Sequence, residues 1–223
     1  MSGAGGGAIG ASRDAADRRE AVIERLAAQR VIPVLRTADV EDAVATARAC
    51  AAAGLSAIEL TRTTPDVERA LAALRDEQDL LLGLGTVTHR EQVGAAARAG
   101  ARFVVSFCAP DGMVEEAHAH GLAAIPGAFT PGEIAACAAT GADAVKLFPA
   151  RLASPAYLRD LRAVLPDVRV MATGGLRATR ASAGAWLEAG ALAVGIGSEL
   201  GSAARDGADE VERRALAALA ALA

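Results

Sequence analysis

Of the 23 lysines and arginines in this 223-residue chain, Lys146 alone is a lysine. Wherever a cation need only be positive, the chain uses arginine, which stays protonated at any working pH and is no nucleophile. A single lysine in such a sequence points to a task that arginine cannot do. Lys146 lies inside the apolar run Ala144-Val145-Lys146-Leu147-Phe148, where an unpaired ammonium costs several kcal/mol. A desolvated amine near the carboxyl end of a strand is suited to attack a carbonyl carbon and form an imine. Glu59 interrupts a second apolar run, Ala57-Ile58-Glu59-Leu60-Thr61, and a carboxylate there can relay protons during carbonyl chemistry. The plainer alternative is a buried ion pair kept for packing, with Glu59 as the counter-charge of Lys146. Both readings set the two side chains facing each other inside the fold.

Two glycine-rich segments have the composition of an anion cup. Thr173-Gly174-Gly175 ends one strand, and Gly195-Ile196-Gly197-Ser198 ends the next and is expected to open a helix. Glycines let backbone N–H groups approach an anion, and a helix N-terminus adds its dipole. The other polar residues offer less. His118 and His120 are two apart on a predicted helix and read as solvated surface groups, while His89 has no Cys or His close in sequence. No metal-ligand spacing and no GxSxG motif for acyl transfer is present, and imine chemistry on a lysine needs no cofactor.

Composition narrows the partners. A net charge of −4 and a pI near 5.5 argue against a nucleic-acid binder, which carries a basic patch. Cys50, Cys108 and Cys137 are odd in number and far apart, as expected of free thiols in a reducing compartment. The first residues, MSGAGGGAIGAS, lack the pattern of a secretory signal, and no uninterrupted apolar stretch reaches the roughly 18 residues of a membrane span. The expectation is a cytoplasmic protein acting on a small molecule, with residues 1–12 a mobile tail and 13–223 one domain.

One pattern recurs along that domain. Short apolar runs at 31–36, 56–61, 80–84, 102–106, 122–126, 143–148, 168–173 and 191–196 alternate with alanine-rich amphipathic segments. Runs apolar on both faces suit parallel strands covered on both sides. Eight such units with no composition break predict a single-domain (β/α)8 TIM barrel, preceded by a helix that starts at Ser12 and covers the barrel floor. Helix signals punctuate the pattern: Gly54 as a C-cap, Pro65-Asp66 as a start, and capping boxes at Thr88–Glu91 and Thr130–Glu133. The rival is an open doubly wound sheet, for which Gly83-Leu84-Gly85 and Gly195-Ile196-Gly197 are the only hints, neither completing a GxGxxG motif.

With these residues in view the chain resembles the 2-keto-3-deoxy-6-phosphogluconate (KDPG) and 4-hydroxy-2-oxoglutarate aldolase family. The matching segments run in order: Ile32-Pro33-Val34-Leu35-Arg36, Ile58-Glu59-Leu60-Thr61, Gly83-Leu84-Gly85-Thr86-Val87, Ile125-Pro126-Gly127, Val145-Lys146-Leu147-Phe148-Pro149, Thr173-Gly174-Gly175 and Gly195-Ile196-Gly197-Ser198. The resemblance implies a class I aldolase in which Lys146 forms the Schiff base and Glu59 is the general acid/base. It implies Thr86 at the pyruvyl carboxylate, Gly174, Gly175 and Ser198 at the phosphate, and a homotrimer. Where some members carry a carboxylate-binding arginine this chain has Thr63, so Arg36 is the better cation for that group. Phe107 and Ala172 replace prolines common in the family, which bears on aldehyde specificity. Expected products are pyruvate and glyceraldehyde 3-phosphate, with 4-hydroxy-2-oxoglutarate or the phosphogalactonate isomer as other substrates. A phosphate-binding isomerase or epimerase, and a noncatalytic phosphosugar-binding protein, are the alternatives.

Overall fold

The computed structural model describes residues 6–222, with side-chain surroundings described from residue 13. Nine parallel strands make one sheet: β1 Val31–Leu35, β2 Ala57–Thr61, β3 Leu81–Gly85, β4 Phe103–Val105, β5 Ala123–Ile125, β6 Gly127–Ala128, β7 Val145–Leu147, β8 Val170–Thr173 and β9 Ala193–Ile196. The sheet order is β5-β4-β3-β2-β1-β9-β8-β7-β6. Its two ends are consecutive in the chain, separated only by Pro126. β5 pairs with β4 and β6 pairs with β7, so the stretch from Ala123 to Ala128 is one stave that bonds to one neighbour with its first half and to the other with its second. Lys146 N–H donates to the Pro126 carbonyl at 2.8 Å across this seam. The eight staves predicted from sequence are thus present, and the shared stave, which joins the two ends of the sheet, excludes the open doubly wound sheet.

The helices are α1 Gly6–Gln29, α2 Val40–Ala52, α3 Val67–Leu74, α4 Glu91–Ala99, α5 Met113–Ala119, α6 Pro131–Ala139, α7 Pro155–Val164, α8 Ala185–Glu188, α9 Ala203–Asp206 and α10 Ala208–Leu222. A 3-10 turn over Ala150–Leu152 and a π-helical turn over Arg180–Gly184 complete the set. Helix α1 begins at Gly6, so Ser12 is inside it and is not its cap, and the helix takes in the second part of the 1–12 segment read as a tail. Residues 1–5 lie outside the described residues. The predicted floor is present: Val22, Ile23 and Leu26 of α1 pack on Ile32, Ala57, Leu81, Phe103, Ala123, Met171 and Ala193, the inward residues at the strand starts. Gln29 ties the end of α1 to the sheet, donating to the carbonyls of Val31 and Ala57 at 2.8 Å and accepting from Ala57 N–H at 2.7 Å.

Two local expectations change. The box at Thr130 forms as predicted, with Glu133 reaching back to the Thr130 N–H. At Thr88 the acceptor is Gln92 at 2.8 Å and not Glu91, because α4 starts later than the Thr88 spacing suggested. His118 is also more than a surface group. It pairs with Asp143 at 2.8 Å, and Asp143 accepts from Ala124 N–H and from Arg19 of α1 as well. Burial pulls the Asp143 carboxyl upward, but the His118 and Ala124 hydrogen bonds and the charges of His118 and Arg19 outweigh it and hold the group below its ordinary range. This carboxylate joins α1, α5 and the fifth stave at one point.

Candidate active site

Glu59 is on the second stave and Lys146 on the sixth, directly across an eight-stave barrel. Alternation along each strand turns both side chains inward. Lys146 Nζ lies 3.4 Å from Glu59 Oε1, with the two side chains 4% and 0% exposed. The second oxygen, Glu59 Oε2, is buried and has no partner, and neither has the Thr173 hydroxyl one stave beyond Lys146. A buried polar atom left without a hydrogen bond costs about 1–3 kcal/mol, so two of them near one amine mark a place where a polar ligand would complete the bonding. Phe148 lies beneath the amine, its ring centroid 5.8 Å from Nζ.

Small residues make the room. A Cβ on Gly85 would overlap the Glu59 carboxylate, and one on Gly83 would overlap the Phe103 ring. A Cβ on Gly195 would come within 2.5 Å of Thr173 Oγ1. These glycines, read from sequence as hints of a dinucleotide loop, are inward barrel positions kept empty for side chains of the adjacent staves. Gly85→Ala is accordingly expected to displace Glu59 and lower kcat by about 10²-fold, the low end for loss of a positioned acid/base, with far-ultraviolet circular dichroism unchanged. A variant with wild-type kcat would show that the Glu59 position has slack.

Thr86, next in the chain, has φ +63°, a conformation rare for a β-branched residue and costing about 1–3 kcal/mol. Its strain sits at the end of β3, beside the Glu59 stave. Thr63 has its hydroxyl 2.6 Å from that of Thr61, which donates to the Leu35 carbonyl at 2.9 Å. Neither Thr63 nor Thr86 lines a cavity with the cup residues. Arg62 is occupied by Glu68.

Six of the sequence-predicted residues do come together. Arg36, Thr173, Gly174, Gly175, Gly197 and Ser198 line one cavity of about 340 Å³ at the carboxyl end of the barrel, and Phe148 and Arg151 line it too. Gly174 and Gly175 have φ +103° and +75°, the left-handed backbone that glycine alone adopts freely. Among the described residues the N–H groups of Gly175, Leu176 and Ser198 have no protein acceptor. One expectation is corrected here: Ser198 does not open a helix. Residues 198–200 form a turn, and the four-residue α9 begins at Ala203. Its first N–H groups are taken by Thr46 and Asp42 at 2.8 Å, so the cup is built of turn amides without a helix dipole. Arg36, expected beside a carboxylate, lines the cup, and its Nη1 lies 2.8 Å from where a Gly197 Cβ would stand.

Sequence reasoning gave no site role to Phe148 or Gly85. Phe148 lines the cup and also a larger neighbouring cavity of about 690 Å³ that holds Phe107, Cys108 and Cys137; Lys146 and Glu59 line neither, but the unpartnered Thr173, one stave from Lys146, lines the cup alone. The chemistry places the candidate site at the smaller cavity and the lumen below it. The alternating glycines at 83 and 85 were the available signal for Gly85. Charge alone did not set Arg151 apart from the other arginines, because its place depends on the turn that follows β7.

The model of the KDPG and KHG aldolase family matches residues 22–214. The chain belongs to that family. It is 40% identical over 157 residues to a 2-dehydro-3-deoxy-phosphogluconate aldolase of Treponema pallidum, covering 70% of this chain and 75% of the relative. It is 34% identical over 173 residues to the 2-dehydro-3-deoxy-6-phosphogalactonate aldolase of Escherichia coli, covering 76% and 83%. Among solved structures, a KDPG aldolase from Legionella pneumophila, with pyruvate captured at low pH as a covalent carbinolamine intermediate, superposes with a TM-score of 0.79 at 29% identity over 89% of this chain and 96% of that one. This family member is therefore an aldolase, a carbon–carbon lyase on a TIM-type barrel, and the isomerase and noncatalytic readings fall away. Among the described residues no helix is long and apolar enough to cross a membrane.

Proposed function

We propose that this aldolase cleaves 2-keto-3-deoxy-6-phosphogluconate to pyruvate and glyceraldehyde 3-phosphate through a Schiff base on Lys146. The observation that carries the reading is the 3.4 Å pair of Lys146 and Glu59, buried across the lumen from each other beside the unpartnered Thr173 hydroxyl. The Lys146 amine adds to the C2 carbonyl, and loss of water gives a protonated imine. Removal of the C4 hydroxyl proton breaks the C3–C4 bond, whose electron pair moves into the imine and leaves an enamine. The freed aldehyde departs, the enamine is protonated at C3, and water releases pyruvate and the amine. Glu59 moves the protons; its free Oε2 is the atom positioned for them. Thr63 and Thr86 attend the pyruvyl carboxylate, Thr173 a substrate hydroxyl, and Gly174, Gly175, Gly197 and Ser198 the phosphate, with Arg36 as its cation. The carbinolamine found in the Legionella relative supports the covalent step, and no cofactor enters it.

The phosphogalactonate isomer is the second substrate reading, favoured by the Escherichia coli relative. A homotrimer in solution is also proposed. It is supported by the exposed Phe107 and Leu152, 44% and 68% accessible, and sedimentation equilibrium measures it. The chemical reading is tested by borohydride reduction with pyruvate, together with pyruvate release from both phosphorylated isomers and from 4-hydroxy-2-oxoglutarate. Lys146 is the only lysine, so intact mass reports one reduced pyruvyl group at that residue once the N-terminal amine is blocked. Absence of an adduct under turnover conditions rules the mechanism out, and the ranking of kcat/KM assigns the substrate.

A further inference from the structure

The cup carries two charged side chains, Arg36 and Arg151, and no acid. Both are seated by glycine. A Cβ on Gly175 would lie 2.6 Å from Arg151 Cδ and 2.9 Å from its Cβ, just as one on Gly197 would crowd Arg36. The Arg151 backbone is fixed as well, its N–H donating to the Gly174 carbonyl at 3.0 Å. The stem of Arg151 therefore lies along the very glycine whose amide faces the cup. Neighbouring arginines are engaged elsewhere: Arg62 with Glu68 and Arg177 with Glu199. Among the described residues neither Arg36 nor Arg151 has a carboxylate within ion-pair distance. Two guanidinium groups lining one small cavity with no acid favour an anion bound there. A phosphate monoester, with a charge of about −1.5 to −2 near neutral pH, balances both. It also offers the oxygens that guanidinium forks bind in pairs. A carboxylate carries a single charge and leaves one of the two positive charges unbalanced.

We propose that Arg151 is a specificity-determining residue: with Arg36 it forms a two-guanidinium clamp that selects a keto acid ending in a dianionic phosphate monoester over one ending in a carboxylate. The inference rests on the aldolase reading above. It is tested with Arg151→Gln, Arg151→Lys and, as a control for the loss of one positive charge, Arg159→Gln on the exposed side of α7. KM and kcat are measured with KDPG and with 4-hydroxy-2-oxoglutarate, and inorganic phosphate is titrated as a competitor. Removing one charge-assisted bidentate contact is expected to raise KM for KDPG about 10- to 30-fold and to weaken phosphate inhibition by a similar factor. The ratio of KM values for the two substrates moves by the same factor, the effect falls on KM and not kcat, Arg151→Lys is intermediate, and Arg159→Gln stays within about 2-fold. A rise below about 3-fold in Arg151→Gln, or an equal rise for both substrates, overturns the clamp. Borohydride trapping of pyruvate separates the two readings. A trapped adduct with an unaltered KM for KDPG in Arg151→Gln removes the clamp alone, whereas an untrappable wild-type enzyme removes the Schiff base. In that second case calorimetric titration of phosphate decides the clamp, and equal affinity in wild type and Arg151→Gln overturns it.

Discussion

Lys146→Met is expected to abolish both the pyruvate adduct and retro-aldol turnover, lowering kcat about 10⁴-fold or more. The imine is the electron sink of the proposed reaction, and without it the enzyme loses most of the acceleration that covalent catalysis supplies. Lys146→Arg is expected to be just as inactive, because a guanidinium keeps the charge but cannot add to a carbonyl. That comparison separates nucleophile from counter-ion: an arginine variant with measurable aldol cleavage would reduce Lys146 to a charge. Stability adds a second readout. Removing one partner of a buried ion pair costs about 3–5 kcal/mol, and Glu59 is fully buried with Lys146 as its only hydrogen-bond partner among the described residues. Lys146→Met alone should therefore unfold at lower urea. The double replacement Lys146→Met with Glu59→Leu removes the uncompensated charge and should recover wild-type stability or exceed it by about 1–4 kcal/mol. An inactive protein more stable than its parent would mean that the pair is retained for chemistry at the expense of stability.

Glu59→Gln is the second large effect. The amide keeps the size and part of the hydrogen bonding of the carboxylate but cannot carry a proton. It is expected to lower kcat for cleavage by about 10²–10⁴-fold, while the slower imine with pyruvate still forms and is still reduced by borohydride over long incubation. Single-turnover mass spectrometry tests this directly, since the adduct accumulates in the variant as product release fails. Near-normal turnover would leave Glu59 as a counter-charge, the plainer reading open from the sequence. Loss of the adduct together with turnover would instead show that Glu59 is needed for attack by the amine. The free Oε2 atom favours the first pattern, because it is available to substrate while Oε1 holds Lys146.

Much of this was legible in the residues. The eight apolar runs, each bounded by a turn signal and followed by an alanine-rich helix, specify the barrel, since a run apolar on both faces must be covered on both sides. The sole lysine and the mid-strand Glu59 mark the proposed reacting pair because an ionisable group in an apolar run is too costly to keep without a task. Strand alternation even sets both side chains inward. Tertiary structure alone decided the rest. That Glu59 and Lys146 meet, 87 positions apart, depends on the closure at Pro126 and on the register of every stave between them, which no local pattern encodes. Ser198 was misread because a glycine-serine segment after a strand looks the same whether a helix or a turn follows. His118 acquired its role from Asp143, 25 residues away. Arg151 gained its place only when the turn after β7 laid its stem over Gly175. Sequence determines which residues are too costly to be idle, because that cost is local; which of them touch depends on the closed barrel, because contact between distant staves is not.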